Sequence, residues 1–219
     1  VASLSALTQK VMPMNAIMEY TDDIAVGDCL ERDRFIEKLI EGGYERVSLV
    51  EEIGEFSERG YIVDVFPPTA SRPLRMEFVG DEIESVREFN ATNQRSFKEV
   101  KGFVLTPAGE LVMSAGSKER ALKNLRKRAG DLDLSKKERD RLFGLLESDS
   151  SILTNLQWLP LFYNDFSAGE TNGLNTLFDY VSKGCFVVWD NFSTMDEADE
   201  KIGNDLDRFM RRANERETF

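Results

Sequence analysis

The chain has 219 residues, 31% charged and 41% hydrophobic, with a formal net charge of −12. That balance belongs to a globular chain of one or two domains and is too apolar for disorder. So acidic a chain is a poor non-specific ligand for nucleic acid, and the absence of histidine removes the commonest general base and metal ligand.

Cys29 and Cys185 lie far apart beside apolar residues, outside any C-x-x-C pair. They read as reduced core residues of a cytoplasmic protein rather than as a disulfide. No apolar run is long enough to span a membrane, so no membrane association is expected. Opening at Val1 without methionine, the chain reads as a piece of something larger.

Residues 1–20 read as the tail of a strand and a short helix interrupted by Pro13. Over 28–43, Leu30, Phe35, Ile36, Leu39 and Ile40 recur at helical spacing, with Asp28 as cap and Gly42-Gly43 as stop. Tyr44 to Val50 reads as a strand. Glu51, Glu52 and Glu55 then cluster; with no phosphate loop beside them, a surface cluster fits better than an acid/base pair or a magnesium site.

Residues 61–66 are β-rich and stop at Pro67-Pro68. Residues 73–79 alternate cleanly, and Gly80-Asp81 marks a two-residue hairpin. An unbroken register pairs Val79 with Glu82, Phe78 with Ile83, Glu77 with Glu84 and Arg75 with Val86. Leu74, Met76, Phe78 and Ile83 then form a core face, while Arg75, Glu77, Val79, Glu82 and Glu84 face outward.

Beyond Pro107 the texture turns helical. Residues 117–147 hold ten Lys or Arg against six Asp or Glu, divided at Gly130 into two amphipathic pieces. The acids are interleaved, which favours a solvated face over a nucleic-acid site. Trp158, Leu159, Leu161, Phe162, Tyr163 and Phe166 read as core around Pro160. A helix over 174–181 leads into an apolar strand, 185–190, of the kind buried in parallel sheets. A charged helix over 195–214 closes the chain.

No phosphate loop, dinucleotide fingerprint, zinc helix or nucleophile elbow occurs. Asp190-Asn191 ends an apolar strand where a nucleotide hydrolase would often carry Asp-Glu. The chain reads as a non-enzyme that needs no cofactor.

One stretch points to a specific role. Gly54-Glu55-Phe56, Arg59-Gly60, Ile62 to Pro67, Arg75-Met76-Glu77-Phe78 and Asp81 to Arg87 resemble the UvrB-homology region of nucleotide excision repair proteins. Gln94-Arg95-Ser96, Leu105 to Glu110, Trp158 to Phe162 and Leu177 to Tyr180 are similar to the transcription-repair coupling factors within that group, more than to the excision-repair helicase UvrB. The resemblance implies an α/β chain: a small α+β module with an antiparallel hairpin, inserted into an incomplete, degenerate RecA-like helicase domain. Residues 1–20 would end the preceding RecA-like part, 21–107 would be the module, and 108–219 the second part of the degenerate domain.

It also implies a partner. The module would recruit UvrA to stalled RNA polymerase, with polymerase and DNA held by other parts of the full-length protein. In the family the contact falls at positions matching Arg59, Arg75 and Val79, the last in place of a frequent aromatic. From residues alone, Arg59 and Arg75 could equally pair with Glu55, Glu58, Glu77 or Glu84 on the sheet. If they are docking residues, Arg59→Ala and Arg75→Glu are expected to weaken UvrA binding and leave the fold intact. A fragment of the helicase UvrB and a DNA-binding module using 117–141 are the alternatives.

Overall fold

Proline and glycine cut the first hundred residues into short elements. The computed structural model describes residues 2–148, 156–166, 168–169, 173–182, 184–188 and 192–216. Two compact units divide the chain, one of Met12–Leu174 and one of Val1–Val11 with Asn175–Phe219. The chain opens on helix rather than strand. Ser3 accepts a hydrogen bond from the Ala6 N–H and caps α1 (Leu4–Thr8). α2 (Met14–Tyr20) begins directly after Pro13.

In the larger unit, β1 (Asp22–Ala25) later pairs antiparallel with β8 (Gly102–Leu105), clasping the ends of the segment between them. α3 spans Arg32–Glu41, four residues later than its spacing predicts, with Phe35, Ile36 and Leu39 buried. Asp28 does not cap this helix. Its carboxylate accepts from the Ala25 N–H and closes a turn after β1. After the helix, Gly43 takes φ +82° and its Cα packs on Gly109, where an added Cβ would lie 2.9 Å from backbone. Only glycine meets both demands.

The strand expected over 44–50 shrinks to β2 (Glu45–Arg46). Beyond it, β3 (Glu55–Arg59), β4 (Ile62–Val65), β5 (Leu74–Val79), β6 (Glu82–Phe89) and β7 (Ser96–Val100) complete a six-stranded sheet in sequence order. Every pairing is antiparallel except β2–β3. Phe56, Val63, Val65, Leu74, Met76, Phe78, Ile83 and Val86 bury one face against α3. The expected core face of the β5–β6 hairpin is therefore realised, and Gly80-Asp81 is its turn.

The hairpin register holds only as far as Phe78↔Ile83. A bulge then lets Glu77 pair with Ser85, Met76 with Val86, and Arg75 with Arg87. The cause is legible in the burial of Ile83 and Val86. Three-residue spacing cannot keep side chains on one face of a regular strand, and an extra residue, Glu84, puts Val86 on the core side with Ile83.

A second core gathers α4 (Ala115–Asp131), α5 (Lys136–Ser148) and α6 (Leu159–Tyr163), with Leu125, Leu146, Leu159 and Phe162 buried. Trp158, Leu161 and Tyr163 pack against it, as the aromatic run predicts. Gly130 lies inside α4 rather than between the helices. The break falls after it, where Asp133 adopts φ 49° and Ser135 with Glu138 starts α5. Asn124 is buried and donates to the Leu161 and Asn164 carbonyls at 2.7 and 2.8 Å, tying α4 to α6.

In the smaller unit, Val11 bridges Asn175, and the expected helix over 174–181 is a single 3₁₀ turn, Leu177–Tyr180, closed by a Thr176–Asp179 capping box. Residues 185–188 are an exposed coil, not a buried strand. A buried strand needs neighbours, and among the described residues none lies beside it. Positions 189–191, with the Asp190-Asn191 pair, fall outside the described residues. α7 (Phe192–Arg216) is the expected terminal helix. Cys29 and Cys185 are free, as expected of reduced thiols, but both are exposed rather than core.

Candidate protein-docking site on the outer sheet face

The register sets which side chains share the face turned away from α3. One row runs Ser57, Asp64, Arg75, Arg87, Glu99 across five strands. The next runs Arg59, Ile62, Glu77, Ser85, and Val79 opposite Glu82 ends the hairpin. Period two along β3, β4 and β5 puts all of them on one side.

Asp64 is the centre. Its carboxylate is fully buried, and it accepts from Arg75 Nε at 2.7 Å, Arg75 Nη2 at 2.8 Å and Arg59 Nη2 at 2.8 Å. A charge out of water needs such partners, and a bidentate arginine is the strongest single one. Arg75 Nη1 also donates to the Gln94 carbonyl at 3.2 Å, and its guanidinium stands 4.8 Å over the ring of buried Phe89. Gln94, at φ 60°, donates its side-chain amide to the Val50 and Ala91 carbonyls, pinning the loop that carries buried Val50. The hydrogen bonds to Asp64 push the Arg75 pKa above its ordinary value against the opposing effect of burial.

The two arginines differ in access. The Arg75 side chain is 15% exposed and the Arg59 side chain 50%. Val79 is 62% exposed and sits at the sheet end, on the same face but away from the carboxylate. All three predicted site residues thus share one surface, and Asp64 brings two of them together.

The alternative pairings are taken up elsewhere. Glu55 accepts from the Glu51 and Glu52 N–H groups. Glu58 points to the opposite face and binds Arg32 and Arg46. Glu77 accepts from Arg87 Nη1 at 3.2 Å and Ser85 Oγ at 3.0 Å. Glu84 is the exposed bulge residue.

Asp64, Gln94 and the half-buried Ile62 were not singled out by sequence reasoning. A usable signal existed for one of them: a lone acid inside Ile62-Val63-Asp64-Val65 must find cations on its own face.

The basic helix α4 is largely engaged within the unit. Lys118, Arg120 and Lys127 donate to the Glu147, Phe162 and Phe166 carbonyls. Arg126 and Arg128 stand over the Phe143 and Phe166 rings. Among the described residues no group of three His, Cys, Asp or Glu could hold a metal ion, and no helix is long and apolar enough to cross a membrane.

The UvrB interaction domain family matches residues 23–111, the segment that carries the sheet and its outer face. Along nearly its whole length the chain is similar to named proteins. It is 33% identical over 207 residues to the transcription-repair-coupling factor of Myxococcus xanthus, covering 94% of this chain and 16% of the relative. It is 28% identical to that of Bacillus subtilis and 29% to that of Staphylococcus aureus, covering 96% of this chain and 18% of each relative. These matches are consistent with a fragment of a transcription-repair-coupling factor. It spans less than a fifth of these relatives, and the Arg59–Asp64–Arg75 cluster lies inside its UvrB interaction domain.

Proposed function

We propose that this chain is the adaptor part of a coupling factor and docks UvrA through the outer face of its six-stranded sheet. The observation that carries the reading is the Arg59–Asp64–Arg75 cluster: two arginines fixed on one buried carboxylate, one presented to solvent. Ion pairs on a surface need no buried acid to hold them, and a guanidinium held in place loses little freedom on binding. Beside it, half-buried Ile62 and exposed Val79 supply apolar area, so the face combines the arginine and apolar contacts that anchor many interfaces.

In this reading the chain has no catalytic role of its own and works in the cytoplasm. Stalled RNA polymerase and DNA are engaged by other parts of the full-length protein, which has the motor. Similarity to three coupling factors favours this over a fragment of the helicase UvrB. The direct test is binding of purified UvrA to the chain, wild type and Arg59→Glu side by side. A wild-type affinity for Arg59→Glu would sink the proposal.

A further inference from the structure

The cluster assigns unequal work to its members. Arg59 uses one nitrogen, Nη2, on Asp64. Its Nε and Nη1 bond to no described side chain or carbonyl, and half of the side chain is exposed. Arg75 instead spends Nε, Nη1 and Nη2 inside the protein.

The acids nearest this surface are also occupied. Asp64 is shared by the two arginines, Glu77 is held by Arg87 and Ser85, and Glu55 is held by main chain. Two guanidinium charges meet a single carboxylate, so the cluster keeps one positive charge in excess. Around the Gly60 turn next to Arg59 the space is open, with no atom within 4 Å of an added Cβ.

We infer that Asp64 is a positioning residue: it holds one N–H of Arg59 Nη2, so that the edge formed by the other Nη2 N–H and a free neighbouring donor presents a fork to a carboxylate on UvrA. Arg75 fixes Asp64 and touches the partner little. This rests on the UvrA-docking reading and refines it by naming the recognised chemistry, an acidic side chain, and the residue that aims the contact. The physical basis is geometric. A guanidinium offers planar pairs of donors that match a carboxylate, whereas a lysine ammonium is a point charge that cannot be clamped on one edge and donate a fork from another.

The test measures UvrA affinity and thermal stability for Arg59→Lys, Asp64→Asn, Arg59→Ala and the double variant Arg59→Ala/Asp64→Asn. Arg59→Lys keeps the charge and is expected to weaken binding about tenfold with its melting temperature unchanged. Asp64→Asn is expected to weaken binding in the wild-type background and to have no further effect once Arg59 is alanine. Wild-type affinity for Arg59→Lys overturns the inference, as does an equal loss from Asp64→Asn in both backgrounds. Should Asp64→Asn fail to fold, Arg59→Lys alone decides. Weak binding by Arg59→Glu combined with normal binding by Arg59→Lys would refute the fork and leave UvrA docking standing. Normal binding by Arg59→Glu would refute the docking reading itself.

Discussion

Asp64 and Arg75 face each other across β4 and β5, joined by two hydrogen bonds of 2.7 and 2.8 Å, with the carboxylate wholly out of solvent. Removing one partner of a buried pair strands the other charge. Arg75→Ala or Arg75→Glu is therefore expected to destabilise the chain, by about 3 kcal/mol for the alanine. Arg59→Ala, at a half-exposed pair, should cost no more than about 1 kcal/mol. Urea unfolding of the two variants checks the difference. Loss of UvrA binding by Arg75→Glu is thus to be read beside its unfolding curve, and the expectation that this change leaves the fold intact does not fit the geometry.

Val79 and Ile62 lie on the outer sheet face one diagonal apart, since Ile62 opposes Glu77 and Val79 follows two residues on. Val79→Asp puts a charge where the partner's apolar surface would sit and should weaken UvrA binding at least tenfold. Because Val79 is mostly exposed, its melting temperature should stay near wild type. Calorimetric titration against UvrA, with a thermal scan of the same samples, reads both.

Tyr20 and Tyr44 make the fold sensitive to alkali. Their hydroxyls donate to the Lys38 and Thr106 carbonyls, and burial pushes both phenols well above the ordinary 10.0. For Tyr20 the nearby Tyr44, Glu41 and Asp22 add to the shift. Below pH 10 both phenols are protonated in either state, and stability does not vary with pH through them. Above it the unfolded chain ionises while the folded one resists, so stability falls by about 1.4 kcal/mol per pH unit for each tyrosine. Circular dichroism across pH 8 to 12, as an approximate range, should show alkaline unfolding that is shallower in Tyr20→Phe.

Several cations of α4 are exposed and also contact α5, α6 and the turn after α6. Arg126→Ala and Arg128→Ala remove guanidinium groups standing 5.7 and 5.5 Å from the Phe143 and Phe166 ring centres. Each is expected to lower stability by about 0.5–1 kcal/mol, as exposed cation–π contacts do. Duplex binding by the whole chain at physiological salt should be undetectable by fluorescence anisotropy. Tight, salt-dependent binding would revive a nucleic-acid role for this helix pair.

Much of the module was readable from sequence because its elements are short and locally coded. Alternation over Leu74 to Val79, the Gly80-Asp81 turn and the apolar face of α3 each follow from neighbours a few residues apart. Arg59, Arg75 and Val79 came from a motif, and two of them could be placed by period alone. What misled was of two kinds. Bulges shift a register that simple counting assumes regular, as at Glu84. Apolar runs such as 185–188 announce hydrophobicity without saying what, if anything, will cover it.

Sequence by itself determined the acidic globular character, the apolar face of α3, the alternation over Leu74 to Val79 with its Gly80-Asp81 turn, and the two arginines as candidates. Tertiary structure alone decided that those arginines converge on Asp64. Residues 59, 64 and 75 become neighbours only when three strands stack in one register, and an acid inside an apolar strand tolerates burial only where two guanidinium groups meet it.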